Sequence, residues 1–286
     1  MQLLDGKLVS GIIKETLQVE VEALQRQGLR PPHLAAILVG EHPASKAYVA
    51  SKIKTCEYLQ FKSTLIRLNE DVSESYLLEQ IQALNESDEV DGILVQLPLP
   101  AHIREHRVIE AIRPEKDVDG FHPVNQGRLL AGLPSLLPAT PYGILLLLEH
   151  YQIPTAGMHC VVLGRSNIVG TPMSVLMSRN TYPGNCTVTL CHSKTNDLAS
   201  YCREADLLIA AIGKAGFVKA DMVKPGAVVV DVGINRGPSA SSPQGYRLTG
   251  DVDFDAVAPK CSWITPVPGG VGLMTICGLM KNTLKA

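Results

Sequence analysis

The hydrophobic pattern of the chain alternates between a helical spacing and short continuous runs. From residue 8 to residue 24, apolar side chains recur every three or four positions, which predicts a long first helix that ends near Gly28. His33–Val39 is then an unbroken apolar run that stops at Gly40, as in a strand that is buried on both faces. The same pattern predicts further helices over residues 43–59, 73–84, 142–150 and 173–179, and further strands over residues 63–68, 90–96, 159–163, 186–190, 206–211 and 227–232.

This repeated alternation of strand and helix predicts the α/β fold class, with parallel sheets covered by helices on both faces. At 286 residues the chain is longer than a single hydrophobic core usually allows, so we expect two lobes. Residues 239–245 are rich in Ser, Pro and Gly, and they predict a surface loop that is too short to link two domains.

Composition and charge exclude several classes of protein. The chain is 45% hydrophobic and 19% charged, with a formal net charge of −2 and no long basic block, so nucleic acid is not an expected partner. The N-terminus lacks the pattern of a signal peptide, and the apolar stretches are far shorter than the roughly 20 residues of a membrane span. Seven cysteines without Cys-x-x-Cys spacing favour reduced thiols over a metal site. Together these features predict a cytoplasmic protein that binds neither a metal nor a membrane.

The most informative motif is a glycine turn that directly follows the predicted strand at residues 159–163. It reads Gly-Arg-Ser-Asn-Ile-Val-Gly over residues 164–170 and leads into a helical pattern. The free N–H groups and the dipole at the start of such a helix attract phosphate, so this segment predicts the front of a nucleotide-binding βαβ unit. Because the spacing departs from Gly-x-Gly-x-x-Gly, a turn without a ligand is the alternative.

The end of the next predicted strand indicates which dinucleotide would bind. An NAD site carries an Asp or Glu about 20 residues after the turn, where it bonds the ribose 2′-hydroxyl. Here the sequence reads Cys-His-Ser-Lys-Thr over residues 191–195, and Arg165 lies in the turn itself. Hydroxyl and cationic groups suit the 2′-phosphate of NADP, which a carboxylate would repel. The alternative is that His192 and Lys194 belong to an ordinary solvated loop.

Four polar side chains and one glycine-rich segment stand out elsewhere. Tyr48 and Lys52 lie four residues apart on the predicted second helix and therefore face the same way. Gln96 ends a predicted strand, where ligands of open α/β sheets gather, and Asp119 lies in a predicted loop. Residues 266–272 read Pro-Val-Pro-Gly-Gly-Val-Gly before the last helix, so the backbone there could approach a ligand closely. Taken singly, each of these features also has a purely structural explanation.

Taken together, the motifs resemble those of the bifunctional methylenetetrahydrofolate dehydrogenase/cyclohydrolase family. The matching segments follow one another along nearly the whole chain: residues 47–52, 91–98, 116–123, 164–170, 231–235, 250–253 and 264–272. The resemblance implies two α/β lobes around a cleft. It assigns residues 1–139 and 266–286 to a folate-binding catalytic domain and residues 140–265 to a Rossmann-like NADP-binding domain. It also implies a homodimer.

The resemblance further implies roles for individual residues. Lys52 would be the acid/base group, oriented by Gln96, while Tyr48 stacks on the substrate and Asp119 binds the pterin. The other expected contacts with the folate substrate are Val95, Leu97, Pro268, Gly269, Gly270 and Gly272. The expected contacts with NADP are Gly164, Arg165, Ser166, Ser193 and Ile234.

The activity implied by the resemblance has two steps. NADP oxidises 5,10-methylenetetrahydrofolate to the 5,10-methenyl cation, and water then opens the cation to 10-formyltetrahydrofolate, which supplies one-carbon units for purine synthesis. Two alternatives stay open: a dehydrogenase with weak or no cyclohydrolase activity, and a non-catalytic NADP-binding sensor. Intact candidate catalytic residues argue against the sensor. The chain departs from the family at Ala139, where Cys is usual, and at Ala215 and Leu273, where Pro is usual.

Overall fold

The computed structural model describes residues 1–238 and 246–286, so the surface loop predicted at residues 239–245 lies outside the described residues. The helices are Gly6–Arg26 (α1), Pro43–Tyr58 (α2), Glu74–Glu86 (α3), Glu105–Ala111 (α4), Pro123–Leu130 (α5), Ala139–His150 (α6), Gly170–Ser178 (α7), Leu198–Glu204 (α8), Phe254–Val257 (α9) and Val271–Lys285 (α10). The strands are Gln2–Leu3 (β1), His33–Val39 (β2), Lys62–Leu68 (β3), Gly92–Val95 (β4), His159–Leu163 (β5), Thr187–Cys191 (β6), Leu207–Ala210 (β7), Val228–Asp231 (β8), Asn235–Pro238 (β9), Tyr246–Thr249 (β10) and Trp263–Ile264 (β11). No helix among these described residues is long and apolar enough to cross a membrane.

The predicted helices and strands are present, with ends that differ by a few residues at most. The sequence pattern missed β1 and β11 because a strand of two residues shows no periodicity. It also missed the short helices α4, α8 and α9 and the strands β9 and β10. A further missed element is α5, which begins at the end of the segment interpreted as a loop. Pro123 occupies the first turn of α5, and His122 Nδ1 caps the helix by accepting a hydrogen bond from the Val124 N–H at 3.1 Å.

The chain packs into two compact units. The six-stranded unit consists of Met1–Gly11 and Thr140–Thr275, and the three-stranded unit consists of Ile12–Ala139 and Ile276–Ala286. This division differs from the predicted domain boundaries because residues 1–11 and 266–275 pack in the six-stranded unit. There β1 pairs with β11, and a Cβ on Gly6 would lie only 2.2 Å from the Gly270 carbonyl oxygen. Which domain binds folate and which binds NADP remains a prediction.

The three-stranded unit has a parallel sheet in the order β3-β2-β4. The central strand β2 is buried along its whole length, because its side chains alternate between two hydrophobic clusters. Leu34, Ala36 and Leu38 pack in one cluster with residues of α1, α2 and α10. Its other apolar residues pack in the second cluster with residues of α3 and α4. Burial on both faces explains why this strand reads as an unbroken apolar run.

The six-stranded unit has a parallel sheet in the order β1-β11-β8-β7-β5-β6, with β9 and β10 forming a separate antiparallel hairpin. The chain passes from β5 to β6 on one side and then returns to β7 on the other side of β5. Strand order therefore reverses between β5 and β7. In open α/β sheets, ligands bind outside the carboxyl ends of the strands at such a reversal.

Candidate functional site

The three-stranded unit brings Tyr48, Lys52 and Gln96 together. Tyr48 and Lys52 lie one turn apart on α2, and Gln96 directly follows β4. Lys52 Nζ donates a hydrogen bond to Gln96 Oε1 at 3.1 Å and lies 4.9 Å from the centroid of the Tyr48 ring. The Gln96 amide NH2 donates to the Leu97 carbonyl at 2.8 Å, which fixes the amide with its oxygen toward the lysine.

Burial favours the neutral form of Lys52. Only 3% of the residue is exposed, and this desolvation lowers the pKa of its amine below the ordinary lysine value. The Asp119 carboxylate opposes the shift in the pKa of Lys52, since negative charge nearby favours the ammonium form. A lowered pKa raises the fraction of neutral amine near pH 7, and the neutral amine is the form that can accept a proton.

Asp119 lies on a loop that a second, buried carboxylate holds in place. Asp117 accepts hydrogen bonds from the backbone N–H groups of Phe121 at 3.2 Å and His122 at 2.8 Å, and from the Asn125 side chain at 2.9 Å. Burial nevertheless raises the pKa of Asp117 to about 6. Asp119 itself is half-buried, and its fixed loop gives its carboxylate a defined position.

The predicted substrate contacts Val95 and Leu97 flank Gln96 in sequence. Val95 is buried as the last residue of β4, whereas Leu97 is half-buried. Both residues line the same small cavity as Asp119. The three-stranded unit therefore contains a buried lysine, an amide, a carboxylate and apolar surface near the carboxyl end of β4.

In the six-stranded unit, the glycine turn lies where the strand order reverses. Gly164 follows β5 with a φ of +108°, and a Cβ there would lie 2.1 Å from the Ala211 carbonyl oxygen, directly after β7. A Cβ on Gly170 would lie 1.9 Å from the Gly164 carbonyl oxygen. Both positions therefore require glycine. Arg165 and Ser166 are exposed before the nine-residue helix α7, so this turn fits a phosphate group.

A second turn lies beside the first, because the Gly164 N–H donates to the Cys191 carbonyl at the end of β6 at 2.9 Å. The Thr195 hydroxyl accepts a hydrogen bond from the His192 N–H at 2.9 Å, and this bond closes the second turn. Ser193 and Lys194, between these two residues, are exposed. An exposed hydroxyl and an exposed cation next to the glycine turn fit the 2′-phosphate of NADP.

Ile234 and the segment before α10 also lie in the six-stranded unit. Ile234 is 53% exposed, and a Cβ on Gly272 would lie 3.1 Å from its Cδ1 atom. The Gly269 carbonyl accepts a hydrogen bond from the Lys7 N–H at 3.0 Å, while Pro268 is exposed. The structure thus brings one predicted cofactor contact against one predicted folate contact. All four predicted catalytic residues, Tyr48, Lys52, Gln96 and Asp119, belong to the three-stranded unit.

The sequence did not single out the buried carboxylates of Asp117 and Asp251, which hold backbone segments in place. Asp117 fixes the loop of Asp119, as described above, and Asp251 accepts several backbone N–H groups of the six-stranded unit. An aspartate within a short loop between apolar runs was the available signal, and that pattern is too common to single out either residue.

Comparison with known proteins gives full-length matches. Residues 4–119 match the catalytic domain of tetrahydrofolate dehydrogenase/cyclohydrolase, and residues 138–286 match its NAD(P)-binding domain. The bifunctional protein FolD of Bacteroides fragilis is 59% identical over 286 residues, which cover 100% of this chain and 98% of that protein.

Solved structures agree with these matches. The bifunctional FolD enzyme of Campylobacter jejuni has a TM-score of 0.93 at 49% identity, covering 100% of this chain and 98% of that one. The FolD enzyme of Trypanosoma brucei, solved with NADP cofactor and an inhibitor, has a TM-score of 0.93 at 37% identity, covering 98% and 95%. The chain belongs to the tetrahydrofolate dehydrogenase/cyclohydrolase family.

Proposed function

We propose that this protein oxidises 5,10-methylenetetrahydrofolate with NADP and hydrolyses the methenyl product to 10-formyltetrahydrofolate, with Lys52 as the acid/base group. The observation that carries the proposal is the hydrogen bond from the buried Lys52 to the half-buried Gln96, whose Nζ and Oε1 atoms lie 3.1 Å apart. A protein that only binds NADP has no use for a desolvated lysine held by an amide. The same pair favours the bifunctional enzyme over a dehydrogenase alone, because proton transfer belongs to the hydrolytic step.

The oxidative step requires alignment of the two ligands. Gly164, Arg165, Ser166, Ser193 and Ile234 are the residues that would hold NADP, which when bound supplies the hydride acceptor. Glycine lets the backbone of the turn approach the phosphates closely, and Arg165 and Ser193 offer a cation and a hydroxyl to them. Loss of hydride from a carbon between two nitrogens needs no base. The protein's contribution to this step is therefore to orient the folate.

The hydrolytic step needs a proton acceptor and a proton donor. Water forms a C–O bond at the methenyl carbon, and the neutral Lys52 amine accepts the proton that this water loses. The bond from carbon to one ring nitrogen then breaks, and that nitrogen takes a proton, so one of the two water protons is released to solvent. The Gln96 carbonyl oxygen accepts a hydrogen bond from Lys52 throughout and keeps the amine in position.

Asp119 is proposed to bind the N–H edge of the pterin, so we expect Asp119→Asn to weaken folate binding. A hydrogen bond to a charged group contributes about 1.5–3 kcal/mol, which corresponds to a rise in the folate KM of roughly 10- to 100-fold in both reactions. Glu115→Gln is the matched control, because Glu115 is exposed four residues earlier on the same loop. An unchanged folate KM in Asp119→Asn would assign the pterin to other residues.

The proposed function is tested by mixing the purified protein with methylenetetrahydrofolate and either NADP or NAD. Reduced cofactor and methenyl cation are followed together by absorbance. We expect reduction of NADP in preference to NAD, without lasting accumulation of the cation. Accumulation would indicate a dehydrogenase with a weak or absent cyclohydrolase activity. Binding of NADP without any reduction would instead support the sensor.

We also propose that the protein is a cytoplasmic homodimer. All seven cysteines are buried and none of them forms a disulfide, which suits a reducing compartment. Strand β6 lies at one edge of the six-stranded sheet, and an edge strand can pair with a second copy of the chain. Sedimentation equilibrium over a range of concentrations distinguishes a dimer from a monomer.

A further inference from the structure

We infer that Asp251 is a positioning residue for the proposed NADP site, and that the dehydrogenase reaction depends on it while the cyclohydrolase reaction does not. The inference rests on the proposed function. It concerns the six-stranded unit alone, where the Asp251 side chain links the loop that borders the glycine turn to the segment that carries Ile234.

The first observation is the convergence of backbone donors on one carboxylate. Asp251 directly follows the β9–β10 hairpin and Gly250, and it is 0% exposed. Its Oδ2 atom accepts hydrogen bonds from the N–H groups of Ile212 at 2.7 Å and Gly213 at 2.9 Å. Its Oδ1 atom accepts from the Lys214 N–H at 2.8 Å. Three consecutive residues are thus folded around a single side chain.

The loop that Asp251 holds is the one that follows β7 at the reversal of strand order. Ala211 begins this loop, and its carbonyl oxygen is the atom that a Cβ on Gly164 would approach to 2.1 Å. The loop and the glycine turn are therefore in direct contact. A shift of the loop by a few tenths of an ångström changes the space in which the turn can receive a phosphate.

Asp251 also holds the segment that carries Ile234. A Cβ on Gly233 would lie 2.4 Å from the Asp251 backbone nitrogen and 2.4 Å from its Oδ1 atom. On the other side of Ile234, the Asn235 side chain donates to Asp251 Oδ1 at 2.9 Å. Both neighbours of the exposed Ile234 therefore pack on the same carboxylate.

The backbone of Asp251 is fixed in turn by Asp231, the last residue of β8. Asp231 accepts hydrogen bonds from the N–H groups of Gly233 at 2.9 Å, Asp251 at 2.8 Å and Val252 at 3.0 Å. Two buried carboxylates in series thus connect the central sheet to the loop beside the glycine turn and to the segment that carries Ile234.

The chemistry requires a carboxylate at position 251. Its two oxygens accept all four donors, and these donors compensate its charge inside the protein. Asparagine has one acceptor oxygen, so its NH2 group would face N–H donors that it cannot satisfy. The expected result for Asp251→Asn is a displaced loop and a less well-formed NADP site.

The test measures the two activities separately, together with NADP binding by titration calorimetry. For Asp251→Asn we expect the Kd and KM for NADP to rise by about 10- to 100-fold. We expect hydrolysis of preformed methenyltetrahydrofolate, which needs no NADP, to stay within twofold of wild type. Asp253→Asn is the matched control, because Asp253 lies two residues later and pairs with Lys219 at 3.0 Å. It should leave all three quantities unchanged.

An NADP Kd within twofold of wild type in Asp251→Asn would overturn the inference. If that variant loses both activities together, Asn235→Ala decides, since it removes one donor and leaves the carboxylate. A raised NADP Kd with retained hydrolysis in Asn235→Ala supports the inference, and any other result overturns it. A wild-type protein that binds NADP but reduces none contradicts the proposed function, while the NADP Kd of the variants still tests the role of Asp251.

Discussion

Replacement of Lys52 by methionine is expected to abolish hydrolysis of the methenyl cation and to leave hydride transfer measurable. Methionine fills the same buried space but cannot accept a proton, and acid/base catalysis contributes about 10²- to 10⁴-fold in rate. Hydride transfer needs no base, so the dehydrogenase loses only what Lys52 adds to alignment of the folate. Decay of preformed methenyltetrahydrofolate without cofactor measures the first effect, and NADPH formation measures the second.

Lys54→Met is the matched control, because Lys54 lies on the same helix and is exposed. It is expected to retain both activities. The pH profile gives a second criterion, because burial lowers the pKa of Lys52. The rate of wild-type hydrolysis should rise with pH as the ammonium loses its proton, and it should level off above that lowered pKa. Lys52→Met should lack this rise. Hydrolysis at the wild-type rate in Lys52→Met would exclude Lys52 as the acid/base group.

The elements that could be predicted from the sequence are those whose burial leaves a regular pattern. His33–Val39 was predicted with the bounds that the structure shows, since both of its faces are covered. The glycine turn could be predicted because steric contacts require glycine at its two ends, Gly164 and Gly170. The contact between Lys52 and Gln96 is different. These residues are 44 positions apart, and only the family resemblance placed them together.

The parts that could not be predicted arise from packing between distant segments. Residues 1–11 join the six-stranded unit through a strand of two residues, which is too short to show a pattern. The three backbone donors that converge on Asp251 lie 37 to 39 residues away along the chain. Leu273, where the family usually has proline, makes a bond of its own: its N–H donates to the Gly270 carbonyl at 3.3 Å. Proline has no N–H and could not make this bond.

The two units share a hydrogen-bonding scheme that the sequence does not reveal. His33 begins β2, where its N–H donates to the Asp91 carboxylate at 2.8 Å. Its ring nitrogens bond with the Glu89 carbonyl at 2.7 Å and the Thr64 hydroxyl at 2.8 Å. His159 begins β5, where its N–H donates to the Asp206 carboxylate at 2.9 Å. Its ring nitrogens bond with the Glu204 carbonyl at 3.3 Å and the Thr189 hydroxyl at 2.9 Å. The histidine and the aspartate are 58 residues apart in one unit and 47 in the other, so no fixed period appears.

The carboxyl ends of these strands correspond as well. Gly40 after β2 and Gly164 after β5 both have positive φ, and each donates its N–H to the last residue of the neighbouring strand at 2.9 Å. Gln96 directly follows β4, and its backbone N–H donates to the neighbouring strand β2. Ala211 directly follows β7 in the same way, and its backbone N–H donates to the neighbouring strand β5. Gln96 thus occupies the position in its unit that corresponds to Ala211, which borders the glycine turn in the other unit.

Replacement of Gly164 by alanine is expected to remove the dehydrogenase activity selectively. The added Cβ would lie 2.1 Å from the Ala211 carbonyl oxygen, which is backbone and cannot rotate away, at a φ of +108° that L-residues rarely adopt. The turn and the loop after β7 must therefore separate. Misplacement of a bound cofactor by such a separation weakens its productive binding on the order of 10²-fold. We therefore expect the NADP KM to rise by at least that factor. Hydrolysis of preformed methenyltetrahydrofolate should persist, because it needs no cofactor.

Gly226→Ala separates this clash from backbone strain. Gly226 also has a positive φ, +81°, but a Cβ there would meet no atom within 4 Å, and the residue lies before β8 at the opposite ends of the strands. We expect that variant to lose about 1–2 kcal/mol of stability and to keep both activities. An NADP KM that rises equally in the two variants would attribute the effect to general destabilisation of the unit. A rise confined to Gly164→Ala, measured with hydrolysis intact, would locate NADP at the reversal of strand order, where the chain permits no side chain.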